Sequence, residues 1–285
     1  MSLDKELDQM LENFDQANKI VIRPSAVDGF VQCPRQWAMT HIAGVQSMPG
    51  ARAAIGTAIH AAVEQEWKEA MVTKKKDFNK SAMADLAVAE LNEMDQEGLN
   101  YDDGEDVNSA AGEAIKGTAA FVDDIVPFTD IPIAVEERYT IDIDNPVVKA
   151  VSGTVDYISS NEIADVKTSK RKPSPANYVT QQSIYKMLAE ANGRAVDRNL
   201  IQGVVLKTKP EGMILNLEPD IEKAKLLVNS MLDVTEAFYS GVRPSLLFRG
   251  NPKYYLCQAK YCALHSTCPY AKGEIKDTTQ PKVNL

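Results

Sequence analysis

The stretch Gly153-Thr154-Val155-Asp156-Tyr157-Ile158-Ser159-Ser160-Asn161-Glu162-Ile163-Ala164-Asp165-Val166-Lys167 decides how the chain is read. Apolar and polar residues alternate on both sides of Ser160-Asn161, as in two strands joined by a two-residue turn. Such a turn pairs Ser159 with Glu162, sets Asp156 opposite Asp165 and brings Thr154 to Lys167. Asp156, Asp165 and Lys167 then share one face of the hairpin, and Val155, Tyr157, Ala164 and Val166 share the other. Carboxylates opposed across two strands repel unless one is protonated or a cation lies between them. Mg²⁺ and Mn²⁺ favour carboxylate oxygens plus water, so two aspartates suit them. An amine beside such an ion would orient a water or offset charge building up on a phosphate. The bare spacing also fits an exposed hairpin of shifted register with solvated aspartates, so the surroundings must decide.

Upstream, Ser25 to Asp28 reads as a capping box that opens a short helix, with Asp in the place of Glu. Cys33-Pro34 interrupts it, and a second helix begins at Arg35. Ile55, Ile59, Val63 and Trp67 recur at helical spacing and predict an amphipathic helix over 56–71. Two more helices are expected over 81–97 and 108–127, joined by the polar loop Asn100–Asp106. Strands are expected over 131–143, 147–159 and 162–168. Ser174-Pro175 predicts a helix start, and Asn192-Gly193 its stop. Strands over 200–207 and 213–217 and a helix over 221–240 lead into a tail rich in Tyr, Cys and Pro. The fold class is therefore α/β (α+β), a mixed central sheet flanked by helices.

The composition, 44% hydrophobic and 25% charged, is that of a globular protein. No apolar run approaches the roughly 20 residues that span a bilayer, so no membrane partner is expected. The N-terminus lacks a signal peptide's basic and apolar regions, which predicts work inside a cell, in the cytoplasm. A net charge of −9 argues against a nucleic-acid partner, yet weakly, since phosphate binding depends on local basic surface. Lys170, Arg171 and Lys172 follow Lys167 directly. That run reads either as a solvated loop or as a grip on a phosphate backbone.

Several separate elements resemble the PD-(D/E)XK nuclease superfamily, and within it the RecB-like branch. That branch includes the AddB nuclease domain, the CRISPR-associated RecB-type exonucleases and phage exonucleases. Gly153 to Asp156 resembles its G-x-x-D strand, and Asp165-Val166-Lys167-Thr168 its D/E-x-K-T strand. Gln181 to Tyr185 resembles its Q-x-x-x-Y helix, and Gly56 to His60 its upstream G-x-x-x-H helix. The resemblance implies a restriction-endonuclease-like core and metal-dependent cleavage of DNA, single-stranded or with free ends. It makes His60, Asp156 and Asp165 metal ligands, Lys167 a catalytic residue, and Gln181 and Tyr185 supports of the site. Glu64, at i+4 from His60, would support the ion rather than hold it. Glu136 or Glu137 matches a frequent family glutamate too loosely to assign. A bacterial or phage-infected cell, and recombination, repair or phage DNA processing, are the settings implied, with a helicase or recombination partner. The glycines lack P-loop spacing, so translocation would come from another protein.

Four cysteines remain: Cys33, Cys257, Cys262 and Cys268. An intracellular chain is a poor place for stable disulfides, whereas four thiols suit a tetrahedral metal or an iron–sulfur cluster. Cys33-Pro34-Arg35 and Cys268-Pro269 resemble the motifs with which the RecB-like branch holds a [4Fe–4S] cluster. Four residues between Cys257 and Cys262, where that branch has two, make Cys257 the least secure ligand. Zn²⁺ and free buried thiols stay open as alternatives. The expected organisation is a helical extension over 1–23, a nuclease domain over 24–270 and a flexible tail over 271–285. The domain would carry a helical insertion over about 73–130 and a cluster-binding tail over 255–270. A DNA-binding subunit that has lost cleavage is the competing reading, which the intact Asp156, Asp165 and Lys167 oppose. A cluster-bearing electron carrier, or a metal enzyme of another kind, leaves the Gln181/Tyr185 helix without a role.

Overall fold

The computed structural model of the chain describes residues 19–273. The expected N-terminal extension lies outside the described residues up to Asn18, and the expected tail from Glu274 on. The chain divides into two compact units. One takes Met48–Ile141 and Ser152–Lys225. The other takes Asp142–Val151 with the described parts of Met1–Ser47 and Leu226–Leu285.

The larger unit is built on strands β2 (Ala134–Asp142), β3 (Val148–Ile158), β4 (Glu162–Ser169), β5 (Arg198–Val205) and β6 (Glu211–Leu217). Neighbours in the sheet follow this order: β2 pairs with β3, β3 with β4, β4 with β5 and β5 with β6. β4 and β5 run parallel, and the pairs β3–β4 and β5–β6 run antiparallel. The parallel pair needs a crossover, which helix α6 (Val179–Ala191) supplies. Helices α3 (Ala51–Thr73), α4 (Lys80–Glu97) and α5 (Val107–Asp124) close a hydrophobic core with the sheet. Trp67 anchors that core, its ring 4.7 Å from Phe78 and 5.3 Å from Tyr157. Truncating an aromatic residue so placed costs about 3–5 kcal/mol. Val166 and Ala164 belong to the same core, as the alternation of β4 requires.

In the smaller unit, a short parallel strand β1 (Ile20–Ile22) pairs with the start of β3, Ile20 opposite Val148. Residues 20–22 are therefore strand, not part of a helical extension. Helices α1 (Pro24–Gln32) and α2 (Pro34–His41) follow. Phe30 and Trp37 meet edge to face at 5.2 Å, and Trp37 packs on Phe248 at 6.4 Å. α7 (Ile221–Tyr239) passes from the larger unit into this one, where its Phe238 ring stands 5.3 Å from Phe248. A one-turn helix α8 (Pro244–Leu247) precedes a tail of successive turns over 251–273. No described helix is long and apolar enough to cross a membrane.

Two local expectations are corrected. α1 has no capping box at Ser25: it begins at Pro24, after an extended Arg23 that makes no side-chain cap. Proline leaves no orphan N–H at the first helical position and is preset for it, so it wins. Ser174-Pro175 starts only a 3₁₀ turn, Pro175–Asn177. Tyr178 breaks it, and α6 proper starts at Val179.

Candidate active site

β3 and β4 pair as Tyr157 with Ala164 and Ile158 with Ile163, the register the turn predicts. The Ser159 N–H donates to the Glu162 carbonyl at 2.9 Å beside the turn. At Asp156 the ladder stops. Its carboxylate Oδ2 accepts the Val166 N–H at 2.7 Å, a bond that a backbone carbonyl of β3 would otherwise take. The aspartates are thus not a face-to-face pair. Asp156 turns towards β4 backbone and helix α3, while Asp165 meets Lys167 and Gln181.

Helix α3 brings His60 to this fork. His60 Nε2 stands 2.9 Å from Asp156 Oδ2 and 3.4 Å from Glu136 Oε1. Ligand atoms of His60, Glu136 and Asp156 all lie within 4.8 Å of one another. Glu136 is the residue that the sequence left unassigned. It sits in β2 with a left-handed φ of 55°, rare for a side chain of that length. The reason is a bulge. Ile133 N–H bonds the Ile158 carbonyl and Ile143 N–H the Lys149 carbonyl, so β2 takes 143 − 133 = 10 steps where β3 takes 158 − 149 = 9. An extra residue of this kind re-aims a side chain out of the strand's alternation.

Asp165 is buried at 2% exposure. Its Oδ2 stands 2.5 Å from Lys167 Nζ, and its Oδ1 accepts from Gln181 Nε2 at 3.1 Å. Gln181 also reaches Tyr185 Oη at 3.4 Å, one turn along α6. The structure thus brings together His60, Asp156, Asp165, Lys167, Gln181 and Tyr185, and adds Glu136. Glu64 instead pairs with Lys68.

Electrostatics point the same way. Burial pushes the Asp165 carboxyl up, the Asp156 charge pushes it further, and Lys167 and His60 pull it back. Glu136 is raised by burial and by Asp156. For His60, burial opposes the charged form, but the bond to Asp156 and the charges of Asp156, Glu136 and Asp165 outweigh it. Its pKa rises to about 9. Lys167 resists burial in the same way, through Asp165 and then Asp156, and stays charged. Three carboxylates crowded this closely gain from any added positive charge. Glu136 Oε1 is buried with no hydrogen-bond donor closer than the His60 imidazole at 3.4 Å, and Asp165 Oδ2 meets only the Lys167 ammonium. Both are hard oxygens, so the donor set fits a divalent cation.

Lys170, Arg171 and Lys172 are exposed on the loop after β4, with Lys170 Nζ 3.6 Å from Glu105. In the smaller unit, Cys33, Cys257, Cys262 and Cys268 line one cavity with Arg35, Tyr254 and Tyr270. Cys33 Sγ accepts the Asn251 N–H at 3.5 Å. Burial and the neighbouring thiols raise Cys257; burial raises Cys262, against a backbone bond from Leu264. Arg35 is buried at 5% exposure with its Nε unpartnered, a positive charge that suits anionic thiolates.

Comparison with known proteins fits this geometry. The "Putative exonuclease" of Eubacterium rectale shares the fold with a TM-score of 0.56 at 14% identity, over 80% of this chain and 85% of that one. The structure of SSO0001 covers 94% of this chain and 96% of its own at 14% identity, but its TM-score of 0.39 carries no argument. No curated protein matches. The sequence pattern that defines the PD-(D/E)XK nuclease superfamily matches residues 22–269, a span that holds every residue of the site and all four cysteines. The chain belongs to the PD-(D/E)XK nuclease superfamily.

Proposed function

We propose that the chain is a divalent-cation-dependent DNA exonuclease that hydrolyses phosphodiester bonds in recombination, repair or phage DNA processing. The observation that carries this reading is the convergence of His60, Glu136 and Asp156 beside the Asp165–Lys167 pair. His60, Glu136, Asp156 and Asp165 would hold Mg²⁺ or Mn²⁺. Such a cation supplies Lewis acidity and positive charge at the scissile phosphate. Lys167 remains charged and is fixed by Asp165, so its ammonium is ready to hold the attacking water or meet charge on the phosphate. Gln181 fixes the Asp165 carboxylate, and Tyr185 steadies Gln181. Lys170, Arg171 and Lys172 would grip the backbone without regard to sequence. The exonuclease reading leans on the name borne by the Eubacterium rectale structure. Digestion of end-labelled single- and double-stranded DNA with Mg²⁺ or Mn²⁺ tests it. Release of mononucleotides from ends, lost in Asp165→Ala, is expected. Internal cuts would make it an endonuclease, and intact DNA in Mn²⁺ would leave a DNA-binding subunit.

Cys33, Cys257, Cys262 and Cys268 would hold a [4Fe–4S] cluster. The four line one cavity with the buried Arg35 guanidinium. Cys33 is joined to the tail across more than 200 residues, so the group would act as a staple. By analogy with disulfide closure it would be worth roughly 5 kcal/mol. Iron and acid-labile sulfide in purified protein, with visible absorbance lost in Cys33→Ala, is the expected result. Zinc without iron would overturn it.

A further inference from the structure

Gly241 to Gly273 contains no Asp or Glu, in a chain whose net charge is −9. It carries Arg243, Arg249, Lys253, Lys260 and Lys272, all exposed. Among the described residues, Arg243, Arg249, Lys253 and Lys272 enter no ion pair. Four such cations spared from neutralisation, on a segment without an acidic residue in an acidic protein, make the electrostatic footprint of a polyanion.

The segment's tyrosines divide into two kinds. Tyr254 and Tyr270 line the cysteine cavity and serve the interior of the smaller unit. Tyr255 and Tyr261 do not: they are 70% and 39% exposed. Tyr255 is braced at its edge by Tyr254, ring centroids 5.0 Å apart at 76°. Tyr261 has the Lys260 ammonium 4.6 Å from its ring centroid. Exposed rings interleaved with cations match what unpaired bases and their phosphates require, since every base offers a π face and every linkage a negative charge.

We propose that the cysteine-rich tail is a binding surface for single-stranded DNA, with Tyr255 and Tyr261 stacking on bases and Lys253 and Lys260 meeting phosphates. The idea takes DNA as the ligand from the nuclease reading, yet stands on residues outside the active site. A duplex keeps its base faces stacked inside, so the surface selects unpaired strand. The cysteine group would then have a second consequence beyond stability: it holds turns that have no helix or strand in the shape that presents these rings.

Binding of a fluorescent oligo(dT), of a matching abasic oligomer and of a blunt duplex would be measured on the full chain in buffer without divalent cations. Tyr255→Ala and Tyr261→Ala should each weaken oligo(dT) binding roughly tenfold, and Tyr→Phe at either site should restore it. Neither tyrosine variant should alter abasic binding. Lys253→Ala and Lys260→Ala should each lower the slope of log affinity against log salt by about 0.7. Unchanged oligo(dT) affinity in both Tyr→Ala variants, with native thermal midpoints, would overturn the proposal. So would equal losses on the abasic oligomer, which would mark a general polyanion surface. Because no cleavage is read, failure here is distinct from failure of the nuclease reading, which appears as intact labelled DNA in Mn²⁺.

Discussion

Gly56 on α3 lies so close to Thr168 on β4 that a Cβ added to Gly56 would stand 2.8 Å from the Thr168 Oγ1. One turn along the same helix, His60 bonds Asp156 at 2.9 Å. The missing side chain is what lets α3 come near enough for the imidazole to reach the fork between β3 and β4.

Gly56→Ala therefore sets two effects against each other. Helix propensity favours alanine by about 1 kcal/mol, while overpacking against a stiff β-branched neighbour costs about 1–3 kcal/mol. The net effect expected is a lower thermal midpoint and weaker Mn²⁺ binding by calorimetry. In a Thr168→Ala background the clash is gone, and the same substitution should stabilise. The reversal of sign is the check.

Glu136→Gln should weaken Mn²⁺ binding by at least about tenfold, since it removes a charged oxygen from a site tuned by ligand charge. Glu137→Gln, one residue on, should leave Mn²⁺ affinity unchanged, because Glu137 bonds Tyr139 and Arg194 instead. Equal losses in the two variants would mean that the bulge does not aim Glu136 at the ion.

Gln181→Ala strips Asp165 Oδ1 of its donor inside a buried site, a change worth about 1–3 kcal/mol. Turnover should fall roughly 10- to 100-fold. Tyr185→Phe removes only a 3.4 Å contact and should cost far less. Steady-state rates on labelled DNA separate the two.

The imidazole of His60 makes ion-free protein sensitive to alkali. Its pKa rises to about 9 in the fold from an ordinary value of 6.5. Folding therefore takes up a proton between those values, and the stability this contributes is full below pH 6.5 and lost as pH climbs through 9. Without divalent ions the thermal midpoint should fall across that window. His60→Ala should flatten the fall. Mn²⁺ affinity should instead rise over the same range, because binding the neutral imidazole releases that proton.

How much of this was legible in the sequence depends on how local each signal is. The β3–β4 register follows from alternation about Ser160-Asn161, and Gln181 and Tyr185 meet because i and i+4 share a helix face. Glu136 was illegible: its aim comes from one extra residue in β2 and a positive φ, which no side-chain pattern encodes. The parting of the strands at Asp156 was hidden too, because a carboxylate replaces a backbone carbonyl there. Three residues at Ile20–Ile22 are too few to show a period, so β1 was read as helix.

The smaller unit is gathered from three stretches far apart in the chain, about residues 19–47, 142–151 and 226–273. During synthesis, Cys33 leaves the ribosome well before Cys268. At roughly 5–20 residues per second, the interval is on the order of 10–50 s. Trp37 must wait through most of it for Phe248, which emerges only after all of Met48–Lys225. Vectorial production thus completes the larger unit's chain before the smaller unit has received its last stretch.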